Sequence, residues 1–190
     1  MYTELINHIQ KYVWLDEDAI QAIGTYFQPL SVENKEYLVR EGQICKSHYF
    51  VKKGCLRMFY NSNKGLEQIV QFAIENWWLT DYFSIDNQQA SDYNIQAIEP
   101  SEVLSIDKLS FDKLTEEAPM LERYLRTIAQ RGLAASQFRL KLIFNLSKEE
   151  MYLHFSSLFP EFVQRIPQYM LASYLGITPE YLSEIKKKNI

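Results

Sequence analysis

Cysteine, histidine, glycine and proline are all scarce in this chain: two, three, six and six in 190 residues. Cys45 and Cys55 are too few for a four-thiolate iron–sulfur cluster and do not fall in a zinc-binding pattern. They read as two structural thiols in a reducing compartment. His8, His48 and His154 are scattered. No serine–histidine–aspartate arrangement, glycine-rich phosphate loop or metal-spaced cluster is visible, so no enzyme, metal or cofactor is expected. No run of about 18 apolar residues exists that would span a membrane. The start, MYTELINHIQKYVWLDEDAI, is not a charged segment ahead of an apolar run, so no secretory signal is expected and the location reads as cytoplasmic. An excess of positive charge is missing too. The net charge of −4 argues against nucleic acid as the only partner.

What is present is ordinary hydrophobic content and many aromatics, enough for a substantial core. Leu5, Ile6, Ile9 and Val13 recur at helical spacing, and Asp16 is placed to cap a second short helix through Ile23 to Gly24. From Phe27 to Ile106 the pattern turns strand-like, with segments at 37–39, 48–51, 56–60, 67–72, 93–98 and 102–106. Turn signals such as Glu41-Gly42, Lys53-Gly54 and Glu99-Pro100-Ser101 separate them. Short strands at this spacing suggest an antiparallel barrel or jelly roll. A short helix over 108–117 follows. From Met120 to Asn145 there is no proline and one glycine, which predicts a long helix.

Along that helix Leu121, Leu125, Ile128, Gly132, Ala135, Arg139, Leu142 and Leu146 fall in alternating four- and three-residue steps. This is a heptad seam, read as a dimer interface through Leu121, Leu125, Ile128, Ala135 and Leu142. Packing of the same face onto the barrel is the alternative. Tyr124, Leu133, Leu140 and Ile143 form a second apolar surface. Ser147 and Glu150 have the spacing of a capping box that opens the next helix. Residues 159–166 read as a connector with some strand character.

The last segment, Gln168 to Lys188, reads as two short helices joined by a tight turn. Leu171, Ala172 and Leu175 face inward from the first. Gly176 reverses the chain, Ile177 plugs the turn, Thr178 caps the second helix, and Pro179 takes its first position. Leu182 and Ile185 face inward from the second. This is the layout of a helix-turn-helix that offers its second helix to the major groove of DNA. An ordinary helical hairpin is the alternative.

This order of elements, with the hairpin IPQYMLASYLGITPEYLSEIKKK and the strands running through PSEVLSI into the long helix, resembles the cyclic-AMP receptor protein and FNR (Crp/Fnr) family of bacterial transcription regulators. The resemblance covers essentially the whole chain. It implies an α+β fold: a cyclic-nucleotide-binding-type β-roll with N-terminal helices over 1–118, a dimerisation helix over 119–146, and a winged-helix or helix-turn-helix domain over 147–190. It further implies a homodimer that binds double-stranded DNA and answers to an effector, with RNA polymerase as a further partner and no membrane.

The ligand chemistry departs from the family. Members that bind cyclic AMP use a glutamate for the ribose and an arginine with a hydroxyl for the phosphate. Ungapped counting puts these on Asp81, Ser91 and Asp92, with Tyr82 beside them, and no Arg or Lys lies between Lys64 and Lys108. A phosphate needs cationic or N–H donors, and two carboxylates repel it. The pocket is therefore expected to be degenerate, sensing an unknown effector or none. Trp77, Trp78, Tyr82 and Phe83 either line an apolar pocket or fill the roll. His48 is the one candidate for a haem ligand on the roll and reads as structural.

On the second hairpin helix, Pro179, Glu180 and Glu184 fall where the family usually reads bases with Arg, Glu and Arg. Glu180 matches; Pro179 and Glu184 do not, so the familiar half-site is not carried over. Thr178, Glu180, Tyr181, Ser183, Glu184, Lys186 and Lys187 are the candidate DNA contacts, the lysines for phosphates. From 147 to 190 the charges balance, five against five. The alternative function is a ligand-binding or protein-interaction module of the same fold that has lost sequence-specific DNA binding.

Overall fold

A computed structural model describes residues 1–188. The chain divides into two compact units: Met1–Tyr60 with Gln71–Ala129, and Asn61–Val70 with Gln130 onward.

The first unit opens with helices α1 (Thr3–Gln10) and α2 (Glu17–Tyr26). Asp16 caps α2 by accepting from the Ala19 N–H at 2.8 Å, as its position predicts. Eight strands follow: β1 (Gln28–Val32), β2 (Tyr37–Val39), β3 (Ser47–Lys53), β4 (Leu56–Asn61), β5 (Glu67–Ala73), β6 (Trp78–Leu79), β7 (Asn94–Ala97) and β8 (Ser101–Asp107). They form two four-stranded sheets, ordered β1-β8-β3-β6 and β2-β7-β4-β5. This is the jelly roll that the strand spacing predicts. Sequence reading missed β1, whose QPLSV is exposed at four of five positions, and the two-residue β6. It also missed α3 (Tyr82–Asn87), a six-residue helix between β6 and β7.

Gly54 turns β3 into β4 with φ of +99°, and a Cβ there would sit 2.7 Å from Ser101 Cα. No other residue type fits that turn. On β3 the side chains alternate. Phe50 joins Leu104 and Ile106 of β8 in a core with Leu5, Ile9, Ala19 and Ile23 of the first two helices, Leu114 of α4 (Lys108–Glu117), and Leu121 and Tyr124 of α5 (Met120–Asn145). Tyr124 is fully buried; its hydroxyl accepts from Trp78 Nε1 at 2.8 Å and meets His8 Nδ1 at 2.9 Å.

That core takes up the first position of the expected dimer seam. Leu121 is 2% exposed within the chain's own core, and Leu125 and Ile128 are half-buried against it. Leu121 has no surface left for a second copy. The alternative, packing of this face onto the roll, holds for this part of α5. Farther along, Ala135 is exposed and Leu142 half-buried. Tyr124 leaves the second apolar surface for the core, while Leu133, Leu140 and Ile143 of that surface are 61%, 53% and 38% exposed.

The second unit is helical among its described residues, apart from the 61–70 hairpin segment. After α5 come α6 (Lys148–Leu158), α7 (Pro160–Arg165), α8 (Gln168–Leu175) and α9 (Pro179–Lys188). Ser147 and Glu150 close the capping box in both directions. The strand character expected at 159–166 is not there: Pro160 stands at the first position of α7, where its missing N–H costs nothing. Described residues 147–188 hold no wing strand.

Candidate functional site

The roll places Asp81 at the N-cap of α3. Its Oδ1 accepts from the Phe83 and Ser84 N–H groups at 3.1 and 3.2 Å. Its Oδ2 accepts from Ser91 Oγ at 2.6 Å. Ser91 is locked in turn: its Oγ accepts from Tyr93 N–H at 3.0 Å, and its backbone pairs with Gly42 N–H and Gln43 C=O, each at 2.8 Å. Asp81 and Ser91 are 4% and 2% exposed. Two of the four predicted pocket residues therefore meet. Tyr82 is 58% exposed and Asp92 lies at the surface.

A carboxylate at a helix start takes the N–H groups that would otherwise receive an outside anion. Asp81 supplies that anion from within the chain, and the Ser91 hydroxyl is turned onto it. The aromatics around it do not form the expected pocket or filling. Trp77, Tyr82 and Phe83 are 48%, 58% and 63% exposed, while Trp78 packs into the helical core beside Phe27 and Phe50. Trp77 lies just before β6, outside any strand, and half of it faces solvent.

His48 is stacked on Phe111 with ring centroids 4.4 Å apart and is 9% exposed. Burial lowers its pKa to about 4, so the imidazole is neutral at physiological pH. Sequence reading passed over Arg57, which is 4% exposed on β4. Its Nε and Nη2 donate to Gln96 Oε1 at 2.9 and 2.7 Å, and its guanidinium lies 4.0 Å from the centre of the Phe59 ring. The cross-strand register of Arg57 with Gln96 puts both on one face. A strand pattern of LRMFY gives no sign that its arginine is buried.

In the second unit the predicted turn is formed by a Schellman motif. Gly176 takes φ of +67°, and the Ile177 N–H donates to Ala172 C=O at 3.0 Å. Ile177 is half-buried rather than a full plug. Thr178 Oγ1 accepts from Tyr181 N–H at 3.2 Å, the N-cap bond expected of its position. Leu182 and Ile185 are fully buried, as are Leu171 and Ala172. With about 3.6 residues per turn, Glu180 and Lys187 point directly away from that core, and Ser183 and Glu184 flank them. Tyr181, 38% exposed, sits at one edge. Lys186, at the other edge, lines a cleft of about 350 Å³ with Tyr152, Ile166 and Gln168. It is turned away from the face that Glu180 presents.

Residues 29–118 match the cyclic nucleotide-binding domain family. The transcriptional activator Anr of Pseudomonas aeruginosa is 26% identical over 90% of this chain and 72% of its own length. The Anr of Pseudomonas protegens is 29% identical over 71% of this chain, and the match spans 54% of that relative. The chain is similar to transcription regulators of the Crp/Fnr type. The fold of the chain is shared by solved structures of low identity. The regulator CLP of Xanthomonas campestris, whose structure is described as c-di-GMP responsive, aligns with a TM-score of 0.73 at 16% identity over 91% of each chain. FixK2 of Bradyrhizobium japonicum aligns with a TM-score of 0.70 at 17% identity, over 85% of this chain and 83% of its own. No helix among the described residues is long and apolar enough to cross a membrane.

Proposed function

We propose that this chain is a dimeric, DNA-binding transcription regulator of the Crp/Fnr type whose roll does not take cyclic AMP in that family's usual way. The observation that carries the DNA reading is the α8–α9 hairpin. Its Schellman turn and Thr178 cap fix α9, Leu182 and Ile185 anchor it, and Glu180, Ser183, Glu184 and Lys187 are left on the outward face. The names of the Anr relatives agree with a regulator. Glu180 can accept from a cytosine amino group, while Lys187 and Lys188 suit phosphates. The Asp81–Ser91 pair supports the ligand half of the reading, because a built-in carboxylate holds the donors that a phosphate would need.

The dimer contact moves along α5 from the seam expected first. Leu133, Ser136, Leu140 and Ile143 repeat at three- and four-residue steps and stand exposed. They replace Leu121, Leu125 and Ile128 in the proposed interface. A second reading, an interaction module without DNA specificity, is favoured by the two carboxylates, Glu180 and Glu184, on the outward side of α9. Selection from a library of random duplexes separates the two. The regulator reading expects one near-palindromic sequence, relaxed at one base pair per half-site by Glu180→Ala. Recovery of unselected sequence favours the module.

A further inference from the structure

Within the second unit, the tip of the β4–β5 hairpin is fastened to the first helix of the helix-turn-helix. β5 is the end strand of its sheet, so its outer backbone groups lack a neighbouring strand. Ser173, on α8, takes that place with one hydroxyl. Its Oγ donates to Glu67 C=O at 2.7 Å and accepts from Ile69 N–H at 3.0 Å. Gln68 Nε2 donates to the Ser173 carbonyl. Arg139, on α5, completes the fastening. Its Nη1 donates to Val70 C=O and its Nη2 donates to Tyr174 C=O at 2.8 Å, while the guanidinium lies 3.9 Å from the centre of the Tyr174 ring.

We propose that Arg139 and Ser173 are positioning residues for DNA recognition: they latch α8 to the hairpin tip and so set the direction in which α9 is presented. The proposal rests on the reading of α8–α9 as a DNA-binding hairpin. Arg139 falls on the heptad seam in the sequence, yet its fork is spent on two carbonyls of its own unit. Serine gives the latch its register, since one hydroxyl meets a C=O and an N–H two residues apart on the same strand edge. Only arginine offers two parallel donors and a flat face for Tyr174 together; lysine keeps the charge and loses the fork. The latch leaves the outward face of α9 uncovered, so it orients the reading helix and does not block it. A hairpin held in place loses less freedom on docking, and that gain applies only where base contacts demand one orientation.

The test uses the full chain, with Ser173→Ala, Ser173→Thr, Arg139→Gln and Arg139→Lys. Affinity is measured for the duplex selected by the wild type and for a scrambled duplex. The latch predicts at least tenfold weaker binding to the selected duplex for Ser173→Ala, Arg139→Gln and Arg139→Lys, with scrambled-duplex binding within twofold of wild type. Ser173→Thr, which keeps the hydroxyl, is expected to recover most of the loss. Full recovery by Arg139→Lys, or selected-duplex binding unchanged in Ser173→Ala, overturns the proposal. Hydrogen exchange of the Ile69 amide is read in parallel. Protection in the wild type that is lost in Ser173→Ala supports the latch, and an unprotected wild-type amide refutes it. A wild type that selects no sequence sinks the regulator reading and with it the latch's role in recognition, and Ile69 protection still decides whether the contact forms.

Discussion

Replacing Asp81 by alanine is the sharpest probe of the roll. The substitution removes an N-cap that accepts from two backbone N–H groups and an acceptor for Ser91 Oγ at 2.6 Å, all in a site 4% exposed. Loss of an N-cap costs about 0.5–2 kcal/mol. A buried donor left without a partner costs about 1–3 kcal/mol more. Ser91 Oγ has a second acceptor in Tyr93 C=O at 3.1 Å, which softens that second cost. The sum expected is about 2–3 kcal/mol of unfolding free energy, taken from the lower part of both ranges. Trp14, Trp77 and Trp78 all lie in the first unit, so urea denaturation followed by tryptophan fluorescence reads the unit that holds Asp81. The wild type is expected to show no melting shift with cyclic AMP. A loss under about 0.5 kcal/mol in Asp81→Ala would mean that the carboxylate is not the internal anion described. Micromolar cyclic AMP binding by the wild type would refute the account of the pocket.

Three further variants test other parts of the molecule. His48 has its pKa lowered to about 4 by burial, against 6.5 in the unfolded chain. Between those values the unfolded chain holds a proton that the native chain does not, so His48 lowers stability as pH falls through that window; from pH 7 to 5 its share is about 2 kcal/mol. His48→Phe should remove that part of the slope in denaturation at the two pH values, and an unchanged slope would show that His48 is not buried neutral. Leu140→Glu, at a 53% exposed position on α5, should give a monomer in sedimentation without loss of helical signal. Leu121→Glu should instead unfold the core it occupies, and a folded monomer from that variant would restore the seam read from sequence.

The jelly roll was legible because its strands are short, alternating and separated by glycine and proline turns. The capped helices were legible because Asp16, Ser147 and Thr178 each stand where a cap must be. What the sequence hid were properties of neighbours. The residues Leu121, Leu125 and Ile128 have the same spacing whether a heptad meets a second copy or the chain's own helices; only the positions of α1 and α2 decide. Arg139 looked like a polar break in that seam and is a clamp on Val70 and Tyr174, far away in sequence. Asp81 and Ser91 were found by ungapped counting onto the pocket positions of the family the chain resembles, but the carboxylate's role as the cap of α3 was not, because a six-residue helix carries too little periodicity to see. Residues 159–166 looked strand-like because Phe162, Val163 and Ile166 are apolar, and Pro160 at a helix start outweighed them.

The ratio of affinities for the selected and the scrambled duplex, measured for the wild type at about 150 mM salt, tests the central claim most directly. A sequence-specific regulator predicts a ratio of about a thousandfold or more, with both affinities falling as salt rises. A ratio near one would contradict the account, whatever the helix-turn-helix looks like.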